Sequence, residues 1–169
     1  GQRWIDGPGN QSEIVSWFSA AASLGTGGPS YEMPLHGMGL AIAKDAEGEV
    51  NDGFFRDNSL AIVVIITDED DCSTYANDFI ITSDNCMGPP VHDFLEPLET
   101  YKEFLDEKFG GEDKYVVVTI AGLSGCGAEA YPTTCDEEDS YAGALDAERL
   151  VDFMENHIGL EEGGSGVFA

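Results

Sequence analysis

Four consecutive acidic residues, Asp68, Glu69, Asp70 and Asp71, stand directly before Cys72 and Ser73. Carboxylate oxygens are hard ligands, and a cluster of them suits Mg²⁺ or Ca²⁺. The spacing excludes an EF-hand loop. Counted from Asp68, Ser73 stands where the sharp turn needs Gly, and Phe79 stands where the final bidentate Glu belongs. Position is what makes the cluster a candidate cation site. It follows residues 60–67 (LAIVVIIT), a β-branched run without alternation. Such a run predicts a strand covered on both faces, the usual state in a parallel sheet. Ligands of these sheets bind beyond the carboxyl ends of the strands, which is where Asp68 to Asp71 fall. The competing reading is a solvated acidic turn, common in so acidic a chain.

Other constellations carry less. Gly122-Leu123-Ser124-Gly125-Cys126 has the start of a nucleophile elbow but ends in Cys where the motif needs Gly, and a cysteine loop follows it instead of a helix. Residues 25–30 are Gly-rich and precede a helical pattern, yet they lack the P-loop spacing and have no nearby Lys. Paired carboxylates suited to glycosidase chemistry mean little among 33 acidic residues. His36, His92 and His157 are scattered, and no cysteine pair has C-x-x-C spacing, which argues against zinc.

The four cysteines form two local pairs, Cys72 with Cys86 and Cys126 with Cys135, each bracketing a loop rich in Gly, Pro, Asn or Asp. Three connectivities are open to four cysteines, and the local one is preferred here. Disulfides persist in oxidising compartments, so the expected location is extracellular or cell-surface, with the periplasm and a lipid anchor as variants. The net charge of -26, from 33 acidic and 7 basic residues, disfavours nucleic acid and anionic membrane as partners. The acid is spread along the whole chain, which favours bound cations, a saline milieu or a basic partner. Neither apolar run approaches the ~20 residues of a membrane helix, so no membrane insertion is expected within this segment.

The elements that must position the acidic cluster alternate between helix and strand. Ser12-Glu13 predicts the cap of a helix with Ile14, Val15, Phe18 and Ala22 on its apolar face, stopping at Gly25. Leu35, Met38 and Ile42 have helical spacing, with Pro34 in the first turn. Asn51-Asp52-Gly53 is a turn signal. Asp93 and Glu96 suggest a capping box before a helix whose stripe is Leu95, Leu98, Tyr101, Leu105 and Phe109. Residues 115–121 (YVVVTIA) predict a second buried strand, and a last helix is expected over 141–157. At 169 residues the chain is expected to be a single domain. Alternation of this kind predicts an α/β fold with a mainly parallel sheet. Two strong strands make a small sheet, so residues 1–169 are expected to be the later part of a larger α/β domain, incomplete at its N-terminus.

Residues 51–73 (NDGFFRDNSLAIVVIITDEDDCS) resemble the von Willebrand factor type A domains of secreted or lipid-anchored bacterial proteins. The segments 28–35 (GPSYEMPL), 116–121 and 148–153 (ERLVDF) continue the likeness, so that it covers most of the chain. The resemblance implies a doubly wound, Rossmann-like sheet flanked by helices, and binding instead of catalysis. The family's metal-ion-dependent adhesion site combines an Asp-x-Ser-x-Ser loop, a Thr from a second loop and an Asp at the end of a later strand. Asp68 matches that last Asp. The second loop maps onto residues 25–30, with Thr26 as the first choice of hydroxyl and Ser30 as the second. Asp-x-Ser-x-Ser is absent from this chain, and Pro29 replaces a cysteine of the family's pattern. The expected function is therefore that of a non-enzymatic extracellular adhesion domain. It would bind another protein or copies of itself through Mg²⁺ or Ca²⁺ at Asp68, with Asp70 and Asp71 as further candidate ligands. The alternative is a structural subunit of an extracellular filament or surface layer. A hydrolase using Ser124 is a third, weaker reading.

Overall fold

The computed structural model describes residues 10–23, 27, 31–74, 94–122, 147–159 and 166–168. Helix α1 (Gln11–Ala22) starts at Asn10, whose side-chain oxygen accepts the Ser12 amide at 3.0 Å. The cap is thus Asn10 instead of the Ser12-Glu13 pair, because Asn is at least as good an acceptor for the free amides of a first turn. Val15 and Phe18, expected in the core, are 57% and 58% exposed. Helix α2 (Pro34–Ala43) begins on Pro34, whose missing N–H falls where a helix leaves amides unpaired anyway. It buries Leu35, Met38 and Ile42, as their spacing predicts.

Strands β1 (Ala61–Ile66) and β2 (Tyr115–Ile120) pair in parallel, with Ala61 opposite Tyr115 and Ile66 opposite Ile120. A three-residue strand, β3 (Gly166–Phe168), pairs in parallel with the other side of β2, giving the order β1-β2-β3. Between β1 and β2 lies helix α3 (Leu98–Phe109), which buries Leu98, Tyr101 and Leu105. It stops at Gly110, whose φ of 86° is a left-handed conformation that favours glycine. The capping box expected from Asp93 and Glu96 does not open this helix. Pro97 is the N-cap, and Glu96 instead accepts the Tyr101 hydroxyl at 2.7 Å. Helix α4 (Glu148–Asp152) passes into a π-helical turn, Phe153–Gly159, that buries Phe153, Met154 and Ile158.

Helices α2, α3 and α4, with its π-helical turn, pack their apolar residues against one face of the sheet, where Ala61, Ile65, Tyr115 and Val117 are buried. On β1, Ile62, Val64 and Ile66 are 63%, 53% and 63% exposed. The strand expected to be covered on both faces is covered on one by the described residues. The result is a mixed α/β arrangement with a small parallel sheet. Among the described residues, no helix is long and apolar enough to cross a membrane.

Candidate functional site at the carboxyl edge of the sheet

The ladder between β1 and β2 runs one residue past β1, with the Thr67 amide donating to Ile120 O at 3.1 Å. The chain then turns. The Thr67 hydroxyl donates to Glu69 O at 3.0 Å and accepts the Glu69 amide at 3.2 Å. Asp68 lies at the crest of this turn, exposed to solvent at the carboxyl end of β1. Hydroxyl-to-backbone bonds of this kind fix a short turn without a second strand.

The two acids that follow are placed differently. Asp71 is fully buried, and both its carboxylate oxygens are engaged. Oδ1 accepts the Leu35 amide at 3.0 Å and the Ser73 hydroxyl at 2.6 Å, while Oδ2 accepts the Ser73 amide at 3.2 Å and Arg149 Nε at 2.9 Å. The Ser73 hydroxyl in turn accepts the His36 amide at 2.8 Å. Helix α2 is therefore capped from 36 and 37 residues away, since its own N-cap, Met33, has no capping side chain. Asp70 does the same for α4. Its carboxylate accepts the Arg149 amide at 3.0 and 3.1 Å and the Leu150 amide at 3.2 Å, where the local N-cap, Ala147, offers none. Carboxylates at helix N-termini also meet the positive end of the helix dipole.

The same segment secures the approach to α3. Ser73 O accepts the Glu96 amide at 2.9 Å, the Thr74 hydroxyl donates to Phe94 O at 2.7 Å, and Thr74 bridges to Leu95. The Arg149 guanidinium, besides pairing with Asp71, donates from Nη2 to Glu96 O. Cys72 is 1% exposed and disulfide-bonded, and its amide donates to Glu32 O at 2.8 Å. Residues 70–74 thus hold α2, α3 and α4 to the end of β1.

Burial sets the electrostatics of this knot. Desolvation is the largest influence on Asp70 and raises its pKa above the ordinary 3.8. The amides of Arg149, Asp71 and Leu150 pull the other way, and the neighbouring Asp71 charge adds to the rise.

Of the five metal-ligand candidates, Asp70 and Asp71 do not fit a cation. Their oxygens already accept N–H and O–H donors, and the Arg149 guanidinium supplies positive charge to Asp71. Asp68 retains a carboxylate presented to solvent at the edge where ligands of parallel sheets bind. Thr26 and Ser30 lie outside the described residues, as do Cys86, Cys126, Cys135 and Ser124. Among the described residues, no group of three His, Cys, Asp or Glu is arranged to hold a metal ion. Sequence reasoning missed Arg149 as the partner of the acidic run. No local signal pointed to it: Met33 and Ala147 cannot cap the helices they precede, but that they are the N-caps is seen only in the structure.

Comparison with protein-family models, with curated proteins and with solved structures finds no match to this chain.

Proposed function

We propose that the chain forms part of a secreted, doubly wound type A domain that binds another protein through Mg²⁺ or Ca²⁺ at Asp68. The observation that carries this reading is the division of labour within the acidic run. Asp70 and Asp71 are buried and engaged, whereas Asp68, two residues earlier, is exposed at the carboxyl end of a parallel strand. An ion held there with an open coordination position could accept a carboxylate from a partner, and the strongly negative chain would favour the cation. Thr26, or Ser30 in second place, would add a hydroxyl ligand. A second layer over the sheet, as in a doubly wound domain, is supported by the exposed apolar face of β1 that Ile62, Val64 and Ile66 form. The test is calorimetric titration of Mg²⁺ and Ca²⁺ into the wild type and Asp68→Ala. Saturable binding that disappears in the variant supports the reading, and equal binding in both refutes it.

The exposed apolar face of β1 also favours the second reading, a filament or surface-layer subunit, because such a face can pack against other copies. Sedimentation with and without divalent cation separates the two. A filament subunit grows into large assemblies with no second protein, and an adhesion domain does not.

A further inference from the structure

At the amino ends of β1 and β2, opposite the acidic turn, an open cleft of about 590 Å³ is lined by Arg56, Lys108 and Lys114 together with the rings of Phe55 and Phe109. We propose that this cleft binds a small organic monoanion, a carboxylate carried on an apolar body.

Three observations converge. The first concerns charge. Five of the six Lys and Arg residues described are ion-paired: Lys44 with Glu49, Lys102 with Asp106, Lys108 with Asp45, Lys114 with Asp113 and Arg149 with Asp71. Arg56 is the sixth, and its guanidinium has no ion pair among the described residues, although acidic residues outnumber basic ones 33 to 7 in this chain. A guanidinium is a planar fork of donors matched to a carboxylate.

The second is positioning. Arg56 opens a turn that closes on its own carbonyl oxygen, which accepts the Ser59 amide at 3.1 Å and the Ser59 hydroxyl at 2.7 Å. Within that turn Asn58 has a φ of 61°, the one non-glycine residue with positive φ among those described. Asparagine tolerates this conformation, and the turn holds Arg56 at the wall of the cleft. Lys108, which also lines the cleft, is held by its Nζ donating to Asp45 O at 2.8 Å. Asp45 Oδ1 accepts the Phe54 amide at 2.9 Å, which ties the aromatic segment to α3.

The third is the aromatic lining. Phe55 and Phe109 meet edge to face with centroids 5.0 Å apart, an apolar surface for the ligand body. Three acids, Asp45, Asp57 and Asp113, also line the cleft, so its formal charge is about zero before a ligand enters. A monoanion is accommodated by Arg56. Phosphate dianions and polyanions meet greater repulsion from the surrounding negative field.

The experiment is calorimetric titration of 3-phenylpropionate into the full chain, with Arg56→Gln, Arg56→Lys and Lys44→Gln in parallel. The expected result is saturable binding that weakens roughly tenfold or more in Arg56→Gln, the loss of one charge-assisted bond. Arg56→Lys, which keeps the charge without the fork, should also weaken it. Lys44→Gln, in an exposed pair outside the cleft, should leave it unchanged. Arg56 is exposed, so the variants keep the fold, and circular dichroism verifies this. No saturable binding, or equal affinity in Arg56→Gln, overturns the site. Inorganic phosphate binding as tightly as the carboxylate overturns the preference for a monoanion.

Discussion

Asp71 and Arg149, 78 residues apart, meet as a buried ion pair at 2.9 Å, and this contact fastens the turn after β1 to the start of α4. Neither group is accessible to a ligand. Removing one partner of such a pair strands the other as an uncompensated buried charge, at about 3–5 kcal/mol. Asp71→Ala and Arg149→Met should each lose stability on this scale in urea denaturation. The double variant should lose less than the sum of the two, because the second change removes the stranded charge.

Asp70 predicts a pH signature. Its folded-state pKa is raised, with burial as the main cause, so the native protein binds this proton more readily than the unfolded chain. The associated stability is fully present below the ordinary 3.8 and is lost as pH rises through the raised value. Asp70→Asn does not titrate, and its amide oxygen can still accept the Arg149 and Leu150 amides. Wild-type stability should therefore gain on that of Asp70→Asn as pH falls through the window. Denaturation midpoints of both proteins at a series of pH values check this, and a constant difference would contradict it.

Two phenols mark the alkaline side. Tyr115 is pushed up to about 12, first by burial and then by its hydrogen bond to Asp106 Oδ1 at 2.9 Å. Tyr101 is also pushed up, by burial first and then by its bond to Glu96. Stability linked to these groups is complete below their ordinary 10.0 and is lost as pH rises through the folded-state values. Phenolate absorbance should contain at least two late-ionising groups that appear together with unfolding, and Tyr115→Phe should remove one of them.

Thr119 is fully buried in β2, and among the described residues its hydroxyl has no hydrogen-bond partner. Valine has nearly the same shape without the polar atom. Thr119→Val should be neutral or stabilising by about 1 kcal/mol, and a loss of that size would reveal a partner for the hydroxyl.

Much of the framework was legible in the sequence because it rests on local patterns. The apolar runs at 60–67 and 115–121 mark the two longer strands, and Pro34 with Leu35, Met38 and Ile42 marks α2. Long-range capping was not legible. The helix amides that Asp70 and Asp71 accept lie 36 to 80 residues away, and an acidic cluster written as D-E-D-D looks alike whether it faces a cation or two helix ends. The same applies to α1, whose apolar residues predict a buried face that Val15 and Phe18 do not occupy. Periodicity states which residues share a face, and tertiary packing decides what that face meets.

Thermal unfolding of the wild type, Asp68→Ala and Asp70→Asn, each with excess Mg²⁺ or Ca²⁺ and again with chelator, tests the cation reading most directly. Ligand binding to the folded state alone raises its melting temperature by mass action. The wild type should melt higher with the cation than with chelator. Asp70→Asn should keep that shift whatever its baseline. Asp68→Ala, an exposed substitution that changes metal-free stability by no more than about 0.5 kcal/mol, should lose the shift. A wild type indifferent to cation, or a shift that persists in Asp68→Ala, would contradict cation binding at Asp68.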